Sequence, residues 1–175
     1  MKKAIVCGSF DPFTIGHLDI VKKAASIFEE VHVVIAINAN KKRKFDNEQM
    51  VQGIKNALIE ENITNCVVVS FDGLVAEYCK ENEITYFVRG LRNSMDYNYE
   101  ENIAEVNKLI NPELEYVYFR ADHVAISSSM IRELMSFGRD VSKYVPKAIL
   151  KLIDPEYYDL VYTKGQYKIN PTQNF

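Results

Sequence analysis

Hydrophobic positions along the chain follow two alternating patterns. Short, nearly continuous apolar runs are typical of strands that are covered on both faces of a sheet, and they occupy residues 4–8, 31–37, 66–70, 86–88 and 114–119. The segments between them carry apolar residues at spacings of three and four, which predicts helices. Strands therefore alternate with helices about every 30 residues, which predicts an α/β fold. We expect a doubly wound, five-stranded parallel sheet with right-handed crossovers.

The helix predicted between the fourth and fifth strands sets an expectation about packing. It runs from about residue 98 to residue 110 and ends before Pro112, because proline restricts the residue that precedes it. Its predicted apolar face is formed by Tyr99, Ile103, Val106 and Ile110. We therefore expect these four side chains to pack against the sheet.

Composition places the chain among ordinary globular proteins. The length of 175 residues fits one domain. The net charge of −3 argues against general nucleic-acid binding, which requires a basic surface. No apolar run approaches the ~20 residues of a membrane helix, and the N-terminus lacks the apolar segment of a signal peptide, so we expect a cytoplasmic location. The three cysteines are odd in number and lack metal-ligand spacing, which predicts buried free thiols; they are Cys7, Cys66 and Cys79.

The first strand, turn and helix form a candidate anion site. The strand ends at Gly8, residues 9–12 form a turn, and the helix begins near Gly16. In a parallel sheet, ligands bind at the carboxyl ends of the strands, where helix N-termini present N–H groups to phosphate. The two glycines let the backbone approach an anion, and Thr14 and His17 add side-chain donors. Since neither G-x-G-x-x-G after the first strand nor G-x-x-x-x-G-K-[ST] occurs, the segment indicates another kind of nucleotide-phosphate site, without a side-chain nucleophile.

Cations follow the carboxyl ends of two further predicted strands. The basic run at residues 41–44 is either a solvated loop or a source of positive charge beside the first turn. Arg89 and Arg92 flank Gly90 after the fourth strand, where forked guanidinium groups suit phosphate recognition. Salt bridging is the alternative for both arginines, since three acidic residues follow closely, namely Asp96, Glu100 and Glu101.

Three serines open a predicted amphipathic helix after the fifth strand. Ser127, Ser128 and Ser129 are consecutive, and Arg132 lies one turn further on. One serine suffices to cap the helix. The other hydroxyls, at a helix N-terminus, predict a receptor for the β- and γ-phosphates of a nucleotide.

Several of these segments resemble the nucleotidylyltransferase superfamily. Residues 14–17 (T-I-G-H) resemble its [HT]-x-G-H signature, and residues 126–132 (I-S-S-S-M-I-R) resemble its I-S-S-[ST]-x-[IV]-R signature. Thr14 in the first place, together with R-G-L-R and D-Y-N-Y-E within residues 89–100, is similar to the phosphopantetheine adenylyltransferase family. The resemblance covers about residues 3–153 and implies a Rossmann-like fold.

The resemblance also implies an activity and a set of site residues. The reaction is transfer of an adenylyl group from ATP to 4′-phosphopantetheine, which gives dephospho-coenzyme A and pyrophosphate in coenzyme A biosynthesis. Catalytic roles are implied for His17, Lys41 and Arg92, with Lys42 a weaker candidate beside Lys41. Acceptor binding is implied for Ser9, Lys41, Leu74, Val75 and Arg89, although Leu74 and Val75 fit core packing as well. ATP binding is implied for Ser9, Phe10, Thr14, His17, Gly90, Leu91, Arg92, Glu100, His123, Val124, Ala125, Ile126, Ser127, Ser128 and Ser129.

The resemblance further implies a Mg²⁺ ion and an assembly. The ion is expected to bind mainly through the ATP phosphates, with Asp11 as a possible protein contact or simply a turn former beside Pro12. The family typically assembles as a homo-hexamer. Residues 1–153 are predicted to form the transferase domain. Residues 154–175 are a C-terminal extension that is packed, forms an oligomer contact or is partly disordered.

Two other functions stay open from the sequence. One is a related transferase that acts on nicotinate or nicotinamide mononucleotide, or on glycerol 3-phosphate with CTP. Such relatives usually carry His in place of Thr14 and lack the segment at residues 89–100. The other is a non-catalytic nucleotide-binding protein, against which the joint presence of His17, Lys41, Arg89 and Arg92 argues.

Overall fold

Five parallel strands form the centre of the molecule. The structure is a computed structural model, and it describes residues 1–163. The strands are β1 (Lys3–Gly8), β2 (Glu30–Ala36), β3 (Cys66–Phe71), β4 (Tyr86–Leu91) and β5 (Glu115–Arg120). Their order in the sheet is β3-β2-β1-β4-β5, with every neighbouring pair parallel. The predicted Rossmann-like α/β fold with a five-stranded parallel sheet is confirmed.

Helices connect the strands and cover both faces of the sheet. They are α1 (Ile15–Ile27), α2 (Asn47–Glu60), α3 (Val75–Glu81), α4 (Ser94–Ile110), α5 (Ser128–Ser136), α6 (Lys147–Ile153) and α7 (Pro155–Tyr158), followed by a π-helical turn at Asp159–Thr163. None of the helices within residues 1–163 is long and apolar enough to span a membrane.

The core is divided by the sheet into two layers. Val33 and Val34 are adjacent on β2 and both are fully buried, but they belong to different apolar clusters. Successive side chains of a strand point to opposite faces, so each layer receives alternate residues of β2. The continuous apolar run in the sequence therefore reflects a strand that is covered on both sides.

The sheet opens between β1 and β4, where the strand order reverses. These two strands pair only at Ala4 with Tyr86 and at Ile5 with Phe87, yet β1 continues to Gly8 and β4 continues to Leu91. By contrast, β1 pairs with β2 over its whole length. The carboxyl ends of β1 and β4 thus diverge, which creates a crevice at the place where open α/β sheets bind ligands.

Helix α4 differs from its prediction in its start and in its orientation. It begins at Ser94 rather than near residue 98, because the Asn93 side chain caps it by accepting a hydrogen bond from the Asp96 amide over 2.9 Å. Tyr99 and Val106 are 65% and 57% exposed, so the prediction that they pack against the sheet is wrong.

The orientation of α4 is set by polar contacts on its inner face. Glu100 is buried and pairs with Arg89 of β4, and the Asn107 side chain donates to the hydroxyl of Tyr116 on β5 over 2.7 Å. Ala104 lies between them and is also buried. Because this inward face carries polar residues, hydrophobic periodicity does not detect it.

The described part of the C-terminal extension packs against α6. The ammonium of Lys147 lies 4.7 Å from the centre of the Tyr162 ring, and that of Lys151 lies 5.7 Å from the Tyr158 ring. The Tyr157 hydroxyl donates to Asp140 over 2.9 Å. Residues 154–163 therefore contact α6 and Asp140 but none of them is buried, and the remainder of the predicted extension, residues 164–175, lies outside the described residues.

Candidate active site

A cleft of about 380 Å³ lies at the diverging ends of β1 and β4. The N-termini of α1 and α5 also reach it, so two helix ends and two strand ends meet at one place. The residues that line it are Val6, Cys7, Gly8, Ser9, Phe10, Thr14, Gly16, His17, Ile20, Val88, Arg89, Gly90, Arg92, Ala121, Asp122, His123, Ile126, Ser127 and Ser128. Many residues with an implied role in ATP binding are among them.

His17 is fixed by a reciprocal cap at the start of α1. The Thr14 hydroxyl oxygen accepts from the His17 amide over 3.2 Å, and Nδ1 of His17 accepts from the Thr14 amide over 3.0 Å. Since Nδ1 acts as an acceptor, the proton of the neutral ring resides on Nε2. Burial, together with the positive charge of Arg89, lowers the pKa of His17 to about 4. His17 is therefore a neutral hydrogen-bond donor at neutral pH.

Side chains hold four consecutive carbonyls of the turn at residues 9–12. Arg43 donates to the carbonyls of Ser9 and Phe10, the latter over 3.2 Å. Arg132 donates to the carbonyl of residue 11 over 2.6 Å, and the Ser128 hydroxyl donates to that of residue 12 over 2.7 Å. The turn is thus shaped by groups from two distant segments of the chain.

Phe10 adopts a costly backbone conformation within this turn. Its φ angle is +45°, a region that residues other than glycine rarely occupy. Its ring is buried and lies edge-on to His17, with a centroid distance of 4.9 Å, and it also packs against Phe13 at 5.3 Å. A Cβ on Gly8 would come within 3.1 Å of the ring. Gly8 therefore makes room for Phe10.

Arg89 of β4 and Arg92, which follows the strand, form salt bridges and line the cleft. Arg89 makes a two-pronged contact with Glu100, at 2.9 and 2.7 Å, and its third hydrogen bond goes to the Cys7 carbonyl over 3.0 Å. It thereby bridges the two diverging strands. Nε of Arg92 pairs with Asp96 over 2.9 Å. The salt-bridge alternative thus describes both residues in this structure, and it is compatible with their position at the cleft.

The residues of the basic run at 41–44 differ in what they contact. Lys41 and Lys42 are exposed on the loop after β2, and neither lines the cleft. Arg43 instead turns back onto the turn at residues 9–12. Nearby, the Asp11 carboxylate accepts from the amides of Lys44 and Phe45, over 2.9 Å in each case. Both oxygens of Asp11 are therefore engaged by the protein's own main chain.

The three serines have different roles at the N-terminus of α5. Ser127 caps the helix by accepting from the Met130 amide over 3.1 Å, and Ser128 holds the turn as described above. Ser129 is exposed, lies outside the cleft lining and accepts from Arg132 over 3.3 Å. The capping alternative therefore applies to Ser127.

The remaining implied site residues fall into two groups. Gly90, His123 and Ile126 line the cleft. Leu74 is 54% exposed at the start of α3, and Val75 packs against a buried cluster. The other implied residues that do not line the cleft are Leu91, Glu100, Val124 and Ala125.

The cysteines are free, and one of them lines the cleft. Cys79 is buried, while Cys7 and Cys66 are half-buried. Burial raises the pKa of Cys7, so its thiol stays protonated at neutral pH and is a weak nucleophile. The residue adds no covalent chemistry to the site.

Two polar residues for which no individual role was predicted also shape the site. Arg43 is one, and Lys23 of α1 is the other. Lys23 contacts Asp122 over 2.7 Å, Asp19 over 3.1 Å and the carbonyl of Arg120 over 3.0 Å, which ties the segment after β5 to α1. The spacing of Asp19 and Lys23 on one helix face was the available signal.

The sequence of this chain is similar to a family model and to several named proteins. The cytidylyltransferase-like family model matches residues 5–134, more than half of the chain. Three proteins named phosphopantetheine adenylyltransferase are similar over nearly their whole lengths. The one from Heliobacterium modesticaldum is 42% identical over 94% of this chain and 98% of its own, and the one from Petrotoga mobilis is 43% identical over 87% and 94%. That from Shouchella clausii is 38% identical over 90% and 99%.

The range matched by the family model spans the T-I-G-H segment, Arg89 and Arg92, which the fold brings together at one cleft. The chain belongs to the phosphopantetheine adenylyltransferase family, within the cytidylyltransferase-like proteins.

Proposed function

We propose that this chain transfers an adenylyl group from ATP to 4′-phosphopantetheine, giving dephospho-coenzyme A and pyrophosphate. The observation that carries the proposal is a neutral His17, fixed by Thr14 and flanked by Arg89 and Arg92 in one cleft. The names of the relatives and the segment at residues 89–100 favour this acceptor over mononucleotides and glycerol 3-phosphate.

The reaction requires positioning rather than a general base. A phosphate monoester has a second pKa of about 6 and is largely dianionic at neutral pH. One of its oxygens attacks the α-phosphorus of ATP, and the bond from that phosphorus to the oxygen bridging to the β-phosphate breaks. That oxygen leaves with pyrophosphate. The protein's task is to align the two phosphates and to neutralise the charge that develops.

His17 and Thr14 are proposed to act at the α-phosphate. The neutral ring leaves Nε2–H as its remaining donor, because Nδ1 is occupied by the Thr14 amide. A neutral donor that is fixed in place stabilises the developing oxyanion charge, because it does not have to reorient during the reaction. Thr14 supports this by capping α1, whose N-terminus adds a positive dipole end.

The leaving pyrophosphate is assigned to Arg92 and the N-terminus of α5. Ser127 and Ser128 line the cleft there, and Ser129 lies at the next position. The adenosine is assigned to the walls on both sides of the cleft. Those walls include the backbone of Ser9, Phe10, Gly90 and Leu91, together with Glu100 and residues 123–126.

The acceptor is assigned to Lys41 and Arg89. A guanidinium carries five N–H groups, so two remain on Arg89 beyond its three hydrogen bonds to Glu100 and Cys7. Lys41 is exposed and free to reach an acceptor phosphate from the loop after β2. Leu74 and Val75, at the start of α3, are assigned to the pantetheine arm.

A Mg²⁺ ion fits this site as a companion of the ATP phosphates. Within residues 1–163, no three His, Cys, Asp or Glu side chains come together as a metal site. Asp11 is engaged by two amides, and Asp122 is paired with Lys23. The ion is therefore proposed to bind through phosphate oxygens, where it offsets their negative charge.

A cytoplasmic homo-hexamer is proposed on the family resemblance alone, and light scattering tests the assembly.

Pyrophosphate release tests the function and its competitors in one assay. Purified protein is supplied with ATP and Mg²⁺, and then with 4′-phosphopantetheine, nicotinate mononucleotide or nicotinamide mononucleotide in separate reactions. A fourth reaction contains glycerol 3-phosphate with CTP. Release with 4′-phosphopantetheine alone supports the proposal. Release with another acceptor, or ATP binding without release in any reaction, contradicts it.

A further inference from the structure

We propose that Arg43 is a positioning residue, whose guanidinium holds the turn at residues 9–12 in the shape that the nucleotide phosphates require. The inference rests on the proposed function and adds to it a residue outside the implied site set. Its basis is a reciprocal set of hydrogen bonds between that turn and residues 43–45, which we call the turn clamp.

Each of the three nitrogens of the Arg43 guanidinium donates a hydrogen bond to a main-chain carbonyl. Nε donates to the carbonyl of Phe45 over 3.1 Å, Nη1 to that of Ser9, and Nη2 to that of Phe10 over 3.2 Å. The side chain is only 18% exposed. Three carbonyls in different directions match the planar, forked donor geometry of arginine, which a lysine ammonium lacks.

Asp11 completes the turn clamp in the opposite direction. Its two carboxylate oxygens accept from the amides of Lys44 and Phe45, and Oδ1 lies 3.9 Å from Nη2 of Arg43. The side chain of each segment thus binds the backbone of the other. Asp11 is 6% exposed, so its carboxylate is largely shielded from water and loss of either amide partner is unfavourable.

The turn clamp acts on the catalytic histidine through Phe10. The left-handed φ of Phe10 is unfavourable and persists only where surrounding contacts enforce it. Arg43 binds the Phe10 carbonyl, and the Phe10 ring lies against His17. Loss of the guanidinium releases the backbone of the turn, and the ring that supports His17 shifts with it.

Direct contact between Arg43 and the acceptor phosphate is the alternative role, and it predicts different kinetic effects of substitution. As one of four consecutive cations, it is also a candidate for direct contact with the acceptor phosphate. A direct contact depends on charge, so a lysine in its place retains function, and removal of the charge raises KM for 4′-phosphopantetheine. The turn clamp depends on geometry, so lysine does not replace it and the loss appears in kcat.

The experiment compares Arg43→Lys and Arg43→Gln with the wild-type protein. Lys55→Met is the control, because it removes one exposed positive charge on α2 and leaves the turn clamp and the cleft unchanged. Amide hydrogen exchange at Lys44 and Phe45 is measured without any substrate, with β2 as an internal reference for global stability. Steady-state kcat and KM are then measured with ATP, Mg²⁺ and 4′-phosphopantetheine.

The turn clamp predicts the same outcome for both Arg43 variants. Exchange at Lys44 and Phe45 is at least tenfold faster while β2 is unchanged, and kcat falls about 10- to 100-fold with KM for the acceptor within twofold. The control stays within twofold of wild type throughout. Unchanged exchange, full activity of Arg43→Lys, or a loss confined to KM overturns the proposal. Failure of the wild-type protein to use 4′-phosphopantetheine contradicts the proposed function instead, and the exchange comparison still tests the turn clamp.

Discussion

The amide of Thr14 donates to Nδ1 of His17 over 3.0 Å, and the amide of His17 donates to the hydroxyl oxygen of Thr14 over 3.2 Å. One pair of residues therefore caps a helix and fixes the tautomer of a ring in the candidate active site. Two residues of the T-I-G-H segment share this structural function, which explains why they stand three positions apart.

The ionisation of His17 is predicted to affect stability under acidic conditions. Its pKa is lowered to about 4 by burial and by Arg89, whereas an unfolded histidine has a pKa of about 6.5. Between these values the unfolded chain binds a proton that the folded chain does not. The free energy of unfolding therefore falls as the pH is lowered from about 6.5 to about 4.

Urea unfolding at several pH values checks this prediction. The His17→Asn variant removes the titrating group, so we expect its stability to fall less steeply over the same range. NMR titration of the wild-type ring is expected to show one transition near pH 4. A His17 transition near pH 6.5 in the folded protein would contradict the account.

Removal of the Glu100 carboxylate is predicted to destabilise the contact between α4 and β4. Glu100→Gln leaves Arg89 without its charged partner in a half-buried position, so we expect the free energy of unfolding to fall by about 1–3 kcal/mol. Glu105→Gln, at an exposed position of the same helix, is the matched control. Thermal unfolding of the two variants compares them directly, and equal stability would show that the pair contributes nothing.

Lys41 is predicted to bind the acceptor without contributing to folding. In Lys41→Met we expect KM for 4′-phosphopantetheine to rise about tenfold or more, because a charge-assisted hydrogen bond contributes about 1.5–3 kcal/mol. The side chain is exposed, so the unfolding temperature is expected to stay constant. Lys55→Met, an exposed change on α2, controls for the loss of one charge. An unchanged KM would remove Lys41 from the acceptor site.

Ser127 is predicted to stabilise α5 in addition to any contact with ATP. Ser127→Ala removes the hydroxyl that accepts from the Met130 amide, and loss of such a cap costs about 1 kcal/mol. Ser136→Ala, an exposed position at the other end of the helix, serves as the control. Denaturant unfolding measures both variants, and the prediction is wrong if Ser127→Ala is as stable as the control.

The sequence predicts the fold and much of the cleft for a definite physical reason. The apolar runs mark parallel strands, and parallel strands bring their carboxyl ends to one edge of a sheet. Residues at or just beyond the carboxyl ends of β1, β4 and β5 therefore meet, although they are far apart in the chain. His17, Arg89 and Ser127 line one cleft as a result.

Directional polar contacts account for what the sequence did not predict. Four consecutive cations look alike in composition, so nothing distinguishes Arg43, which binds carbonyls, from Lys41, which is exposed. The orientation of α4 depends on Glu100 and Asn107, which face inward because specific partners lie opposite them. Hydrophobic periodicity carries no information about such pairs.

Turnover by His17 variants tests the central claim most directly. His17→Ala removes the ring, whereas His17→Asn keeps an acceptor for the Thr14 amide and removes the Nε2 donor. With saturating ATP, Mg²⁺ and 4′-phosphopantetheine, we predict that kcat for dephospho-coenzyme A formation falls about 10²–10³-fold in both variants, a loss of roughly 3–4 kcal/mol. Thermal unfolding of His17→Asn is expected to remain close to wild type. Wild-type turnover in a folded His17→Asn protein would contradict the claim that this ring stabilises the transferring phosphate.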